Sequence, residues 1–160
     1  MGVYLITGGA SSVGADIAKA LHGTGHSILF ADIARVELPG VRSVICDLTD
    51  EAQIASLLFG VEAVEGRLDV LVCHASAGRD NDFASTGMLI NAAAGLLRQP
   101  RGAAITIDTG GASRLPAFTR ALARDLGPDI TVSWLAAQAG DLADLAQVTA
   151  RAAGLLAAAA

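Results

Sequence analysis

The sequence predicts an α/β fold, a doubly wound parallel sheet of about six strands in the order 3-2-1-4-5-6. Three observations carry that reading. Short apolar runs rich in strand-forming residues alternate with segments whose apolar residues recur at helical spacing. Hydrophobic residues make up 52% of the chain and charged residues 17%, which suits strands buried on both faces. The first strand runs into a glycine-bearing turn, Thr7-Gly8-Gly9-Ala10-Ser11-Ser12-Val13-Gly14, that opens a helix. A chain of 160 residues suits a single domain, 1–160, with a core of its own.

Taken in order, Val3-Tyr4-Leu5-Ile6 is the first strand, and Val13, Ile17, Ala20 and Leu21 form the apolar stripe of the first helix. Ser27 to Ala31 is a second buried strand ending at Asp32. The stretch from Ile33 to Arg42 contains Pro39-Gly40 and is too short for a full helical crossover, so a loop or single turn is expected. Ser43 to Cys46 is the third strand, after which Thr49 or Asp50 caps a helix from Glu51 to about Val64. Leu68 to Cys73 is the fourth strand, followed by a polar loop from Gly78 to Ser85. A helix from Ser85 or Thr86 to Leu97 comes next, then a turn at Pro100-Arg101-Gly102 and a fifth strand, Ala103 to Ile107. The helix from Pro116 to Leu126 stops at Gly127-Pro128, and Ile130 to Leu135 is the sixth strand, with Trp134 expected in the core. Asp141 to Ala160 is alanine-rich and helical by propensity.

The totals exclude several function classes. Net charge is −5 and no basic cluster exists, which argues against nucleic acid as a partner. The two cysteines, Cys46 and Cys73, fall in predicted strands without metal-type spacing, so they read as buried free thiols of a reducing compartment. No apolar run reaches membrane-spanning length, and the first strand begins with no basic leader before it. A cytoplasmic protein that does not engage membranes is expected.

The turn points to anion binding. Free N–H groups at a helix N-terminus, with the helix dipole behind them, favour a phosphate, and small residues let it approach the backbone. Gly8, Ser11, Ser12, Val13 and Gly14 would face it. Asp32, about 20 residues beyond the turn, can accept hydrogen bonds from an adenosine ribose and would repel a 2′-phosphate, with Ile33 beside it. That pattern favours NAD over NADP. The plainer alternative is a strand–helix unit that binds no nucleotide.

The spacing Thr-Gly-x-x-x-Gly-x-Gly resembles the short-chain dehydrogenase/reductase family, with Ser12 standing at the family's middle glycine. Leu68-Asp69-Val70-Leu71-Val72 matches the family's fourth strand, while Cys73-His74-Ala75-Ser76 stands where the family has Asn-Asn-Ala-Gly. Thr119 to Pro128 is similar to the family's corresponding helix, so the resemblance runs from Val3 to Leu135. It implies a Rossmann-like fold, adenine contacts from Asp47 and Leu48, a cofactor contact at Ala75, and an organising role for Asn91. For Asp47, a simple turn residue is the equal alternative. The helices at Ser85–Leu97 and Pro116–Leu126 form subunit contacts in relatives, so a homo-oligomer is expected.

Carbonyl reduction in that family depends on a Tyr-x-x-x-Lys pair after strand five, helped by a serine. Here the one tyrosine is Tyr4 and the one lysine is Lys19, neither of them after strand five, and Thr109 falls at the serine's place. The family's substrate-covering loop and last strand have no counterpart. Standard chemistry is therefore not expected. His74, Asp108, Thr109 and Ser113 map to the carboxyl-end rim of strands four and five, where a His74–Asp108 pair could act as general acid or base. A histidine that caps a loop is its competitor. Arg79 and Arg114 could hold an anion, and His22 and His26 look structural.

Three functions remain open: an NAD(H)-binding oxidoreductase with a non-standard site and an unspecified small-molecule substrate; a non-redox biosynthetic enzyme such as a cyclase, dehydratase or isomerase; and a catalytically dead structural partner. The first leads, because the turn and Asp32 retain the nucleotide-facing residues.

Overall fold

A computed structural model describes residues 1–8, 12–23, 25–75, 81–97, 102–108 and 115–136. They form six strands, β1 (Val3–Thr7), β2 (Ser27–Asp32), β3 (Val41–Ile45), β4 (Val70–Ala75), β5 (Gly102–Asp108) and β6 (Ile130–Ala136). The helices among them are α1 (Ser12–Leu21), α2 (Glu51–Glu65), α3 (Asn81–Leu97) and α4 (Leu115–Leu126). All pairings are parallel and the strand order is β3-β2-β1-β4-β5-β6, as the alternation predicts.

Because side chains alternate across a strand, each strand supplies two cores. One face carries Tyr4, Ile6, Ile28, Phe30, Val70, Val72, Ile105 and Ile107 and packs on Val13, Ile17 and Leu21 of α1. The other carries Leu5, Leu29, Ala31, Leu71, Cys73 and Ala104 and packs on α2, α3 and α4 through Leu57, Ile90, Ala93 and Leu122. The central strands β1 and β5 are buried along their whole length, whereas β3, at one edge, is half to fully exposed.

Local chemistry sets the element ends. Asp50 caps α2, its carboxylate accepting the N–H groups of Ala52 and Gln53. Gly66 closes the same helix at φ 69°, a left-handed conformation suited to glycine, and donates its N–H to the Glu62 carbonyl. No helix intervenes between β2 and β3; Val36 and Leu38 of that loop pack on the α1-side core.

Four expectations are corrected. Asn81 to Ser85 is the first turn of α3 and not part of a loop, and Phe83 sits edge-on to Phe118 of α4 with ring centroids 5.4 Å apart. That aromatic contact extends the helix beyond its apolar stripe. β4 runs two residues further than expected, carrying His74 and Ala75 into the ladder with β5. Trp134 is 42% exposed, because β6 is an edge strand among the described residues. Cys46 lies one residue past β3, buried, and donates its N–H to the Asp32 carbonyl at 2.9 Å.

At the amino ends of the strands lies a polar cluster. Asp69 accepts the Val3 N–H at 2.8 Å and pairs with Arg67 through its other oxygen. His26 Nδ1 accepts the Gly2 N–H at 3.0 Å, and its ring lies 4.8 Å from that of Tyr4. His26 is thus structural, as its place in the sequence suggests.

Candidate cofactor cleft

Parallel sheets bind ligands at the carboxyl ends of their strands, where the strand order reverses. Here that point lies between β1 and β4. Gly8 follows β1 directly, at φ 71°. A Cβ there would lie 3.0 Å from the Cβ of His74 and 3.1 Å from its Nδ1, so glycine is required by both conformation and space. Beyond it α1 begins at Ser12, with Val13 and Gly14 buried and no acidic residue in its first turn. A helix N-terminus behind a left-handed glycine is a cradle for a phosphate. Ser11 lies outside the described residues.

Asp32 ends β2, beside β1, and is half-buried. Its Oδ1 receives the Ala34 N–H at 3.4 Å. Ile33, next to it, is 66% exposed and available to a flat ligand. Asp47 makes local turn contacts: its Oδ1 accepts both the N–H and the hydroxyl of Thr49, at 2.9 and 2.7 Å. Those hydrogen bonds from Thr49 hold the carboxyl below the usual carboxylate range. Leu48 packs against the core.

Register decides the fate of the proposed histidine–carboxylate pair. His74 lies opposite Ile107, and Ala75 opposite Asp108. His74 therefore shares the α1 face with Ile107 and Val72, while Asp108 shares the opposite face with Ala104, although both stand at the rim. The structure does not set the two on one face. Asp108 is 2% exposed. Thr109, Ser113, Arg79 and Arg114 lie outside the described residues. The approach of His74 to Gly8 went unread in the sequence, since it depends on which strands are neighbours.

Tyr4 and Lys19 lie away from this rim. Tyr4 is wholly buried on β1, and burial, with Asp69 nearby, pushes its hydroxyl pKa up. Lys19 is exposed near the end of α1 and pairs with Asp16 at 3.2 Å. Asn91 is exposed on α3. Cys73 is buried, with its thiol pushed up to about 12 by desolvation, against a weaker hydrogen bond from Thr7. No group of three or more metal-type side chains occurs among the described residues.

No family model matches the sequence. Over 126 residues the chain is 34% identical to 3-beta-hydroxysteroid dehydrogenase of Comamonas testosteroni, covering 68% of this chain and 49% of that protein. The chain spans at most about half the length of the curated relatives it matches, 31% and 49%. Among solved structures, 3-ketoacyl-(acyl-carrier-protein) reductase from Brucella melitensis, complexed with NADH, superposes at TM-score 0.78 and 19% identity, over 93% of this chain and 89% of that one. A metagenomic short-chain oxidoreductase in complex with NADP superposes at TM-score 0.73 and 23% identity, over 95% and 90%. The structural likeness is one of fold; together with the glycine turn and the sequence relatives, it places the chain in the short-chain dehydrogenase/reductase family.

Proposed function

We propose that this chain binds a nicotinamide dinucleotide across the carboxyl ends of β2, β1 and β4, preferring NAD(H) to NADP(H), and takes part in oxidoreduction of a small-molecule substrate. The observation that carries the reading is the pairing of a left-handed Gly8 after β1 with a carboxylate, Asp32, at the end of the neighbouring β2. The turn and the first residues of α1, from Ser11 and Ser12 to Gly14, would hold the pyrophosphate. Asp32 would accept hydrogen bonds from the adenosine ribose, with Ile33, Asp47 and Leu48 toward the adenine and Ala75 toward the nicotinamide half.

Structural neighbours are known with NADH and with NADP, so fold alone does not choose between them. Asp32 supports the choice, because a 2′-phosphate would bring about two negative charges beside a carboxylate. When bound, the dinucleotide supplies a hydride acceptor or donor. The accompanying proton is assigned not to Tyr4, which is buried in the sheet, but to the carboxyl end of β5, where Asp108 is the last residue.

Calorimetric titration of NAD+, NADH and NADPH tests the proposal. NADH should bind at least about tenfold more tightly than NADPH. Asp32→Ala should weaken NADH binding by roughly 10- to 100-fold, the worth of hydrogen bonds to a charged group. Equal affinity for NADPH, or an unaltered Asp32→Ala, refutes the assignment.

A further inference from the structure

We infer that His74 is a ligand of the dinucleotide's pyrophosphate, its protonated imidazole supplying a positive charge beside the glycine turn. The inference rests on the reading above that this cleft holds a dinucleotide.

Three observations converge on the imidazole. Register turns His74 toward the α1 face, away from the face of Asp108. The ring lies against Gly8, with Nδ1 only 3.1 Å from where a Cβ would stand on that residue. His74 is also half-buried, neither sealed in the core nor fully in solvent. On this face Asp32, Gly8 and His74 follow one another across β2, β1 and β4. A dinucleotide whose ribose meets Asp32 and whose phosphates lie over Gly8 therefore runs on to the imidazole.

The described residues around the ring suit this role. From β1 it is Gly8 that meets the ring, while Thr7, whose hydroxyl is directed to the Val72 carbonyl at 3.5 Å, lies on the other face with Cys73. β5 presents Ile107, and the first turn of α1 carries no carboxylate. Asp16, one turn on, is matched by Lys19. Asp32 shares the face but stands two strands away, roughly 10 Å at ordinary strand spacing. His74 lies against Gly8, and imidazole is the side chain whose charge ordinarily changes near neutral pH. A phosphate diester keeps its charge throughout that range, so protonation of His74 should be tightened by the ligand and the ligand by protonation.

The test measures Kd for NADH, ADP-ribose and adenosine between pH 5.5 and 8.5, on wild type and His74→Asn. In wild type, NADH and ADP-ribose should bind about tenfold more tightly at the acid end, as expected for a charge-assisted hydrogen bond. Adenosine, which lacks the pyrophosphate, should show no such slope, and His74→Asn should bind all three with flat profiles. An equal slope in His74→Asn, or none in wild type, overturns the inference while leaving the dinucleotide reading in place. Failure of wild type to bind NADH or ADP-ribose at any pH overturns both. Should the variant not fold, proton NMR of wild type answers the same question: the imidazole in contact with Gly8 must show a pKa raised by ADP-ribose, and an unmoved one refutes the role.

Discussion

Replacing Gly8 with alanine adds one methyl group where backbone conformation and a neighbouring side chain both resist it. At φ 71° an L side chain pays a steric penalty of roughly 1–2 kcal/mol. The new Cβ would also meet the Cβ of His74 at 3.0 Å, an atom that moves only with the β4 backbone. Overpacking of that kind costs about 1–3 kcal/mol. The two together predict a loss of about 2–5 kcal/mol, or a Tm lower by very roughly 4–20 °C for a domain of this size. Urea unfolding followed by circular dichroism would measure it, repeated in a His74→Gly background that removes both the ring and its Cβ. There Gly8→Ala should cost about 1–3 kcal/mol less, leaving the conformational part. A cost below about 1 kcal/mol in the wild-type background would show that the turn is not built as described. The same cost in both backgrounds would show that His74 does not crowd Gly8.

Other consequences lie at the opposite end of the sheet and in the core. Asp69→Ala leaves the Val3 N–H and Arg67 without their carboxylate, and should destabilise the protein by about 2–3 kcal/mol, discounted because Arg67 is partly exposed; a Tm within 2 °C of wild type refutes it. Gly102→Ala would put a Cβ 2.5 Å from the Leu97 carbonyl oxygen, a backbone atom with no rotamer to yield. Its loss should therefore exceed that of Gly95→Ala, a helical position at which a Cβ meets nothing within 4 Å. His26 accepts the Gly2 N–H only when its Nδ1 is unprotonated, and burial first, then the amino terminus, lower its pKa. The unfolded chain thus takes up the proton first, so stability is full above about pH 6.5 and declines as pH falls below it. A urea midpoint that drops from pH 7.5 to 5.5 in wild type but not in His26→Asn is the expected result. Asp47 and Asp50, with carboxyl pKa values lowered by their hydrogen bonds, add a separate loss only in the range below about pH 4. Cys46 and Cys73 are both buried, so a thiol reagent should label neither until the protein unfolds.

Much of the fold was legible because its signals are local. Apolar runs placed all six strands, the Thr49-Asp50 pair announced the start of α2, with Asp50 the actual cap, and the shortness of the Ile33–Arg42 stretch ruled out a helix there. Boundaries were less legible where a contact at a distance extends an element, as with Phe83 on Phe118 at the head of α3 and the β5 ladder that carries β4 to Ala75. The exposure of Trp134 likewise follows from the edge position of β6, which a strand's own composition does not disclose.

For the cleft, the sequence by itself determined which residues reach the rim: Gly8 after the first strand, Asp32 at the end of the second, His74 and Asp108 on the fourth and fifth. Only the tertiary structure decided how they are grouped. Side chains alternate with a period of two, so an offset of one residue in the β4–β5 register sends His74 to the α1 face and Asp108 to the other. The same pairing of β4 beside β1 brings the imidazole against Gly8, across more than sixty residues of chain. Register is a property of two strands together, and no single stretch of sequence contains it.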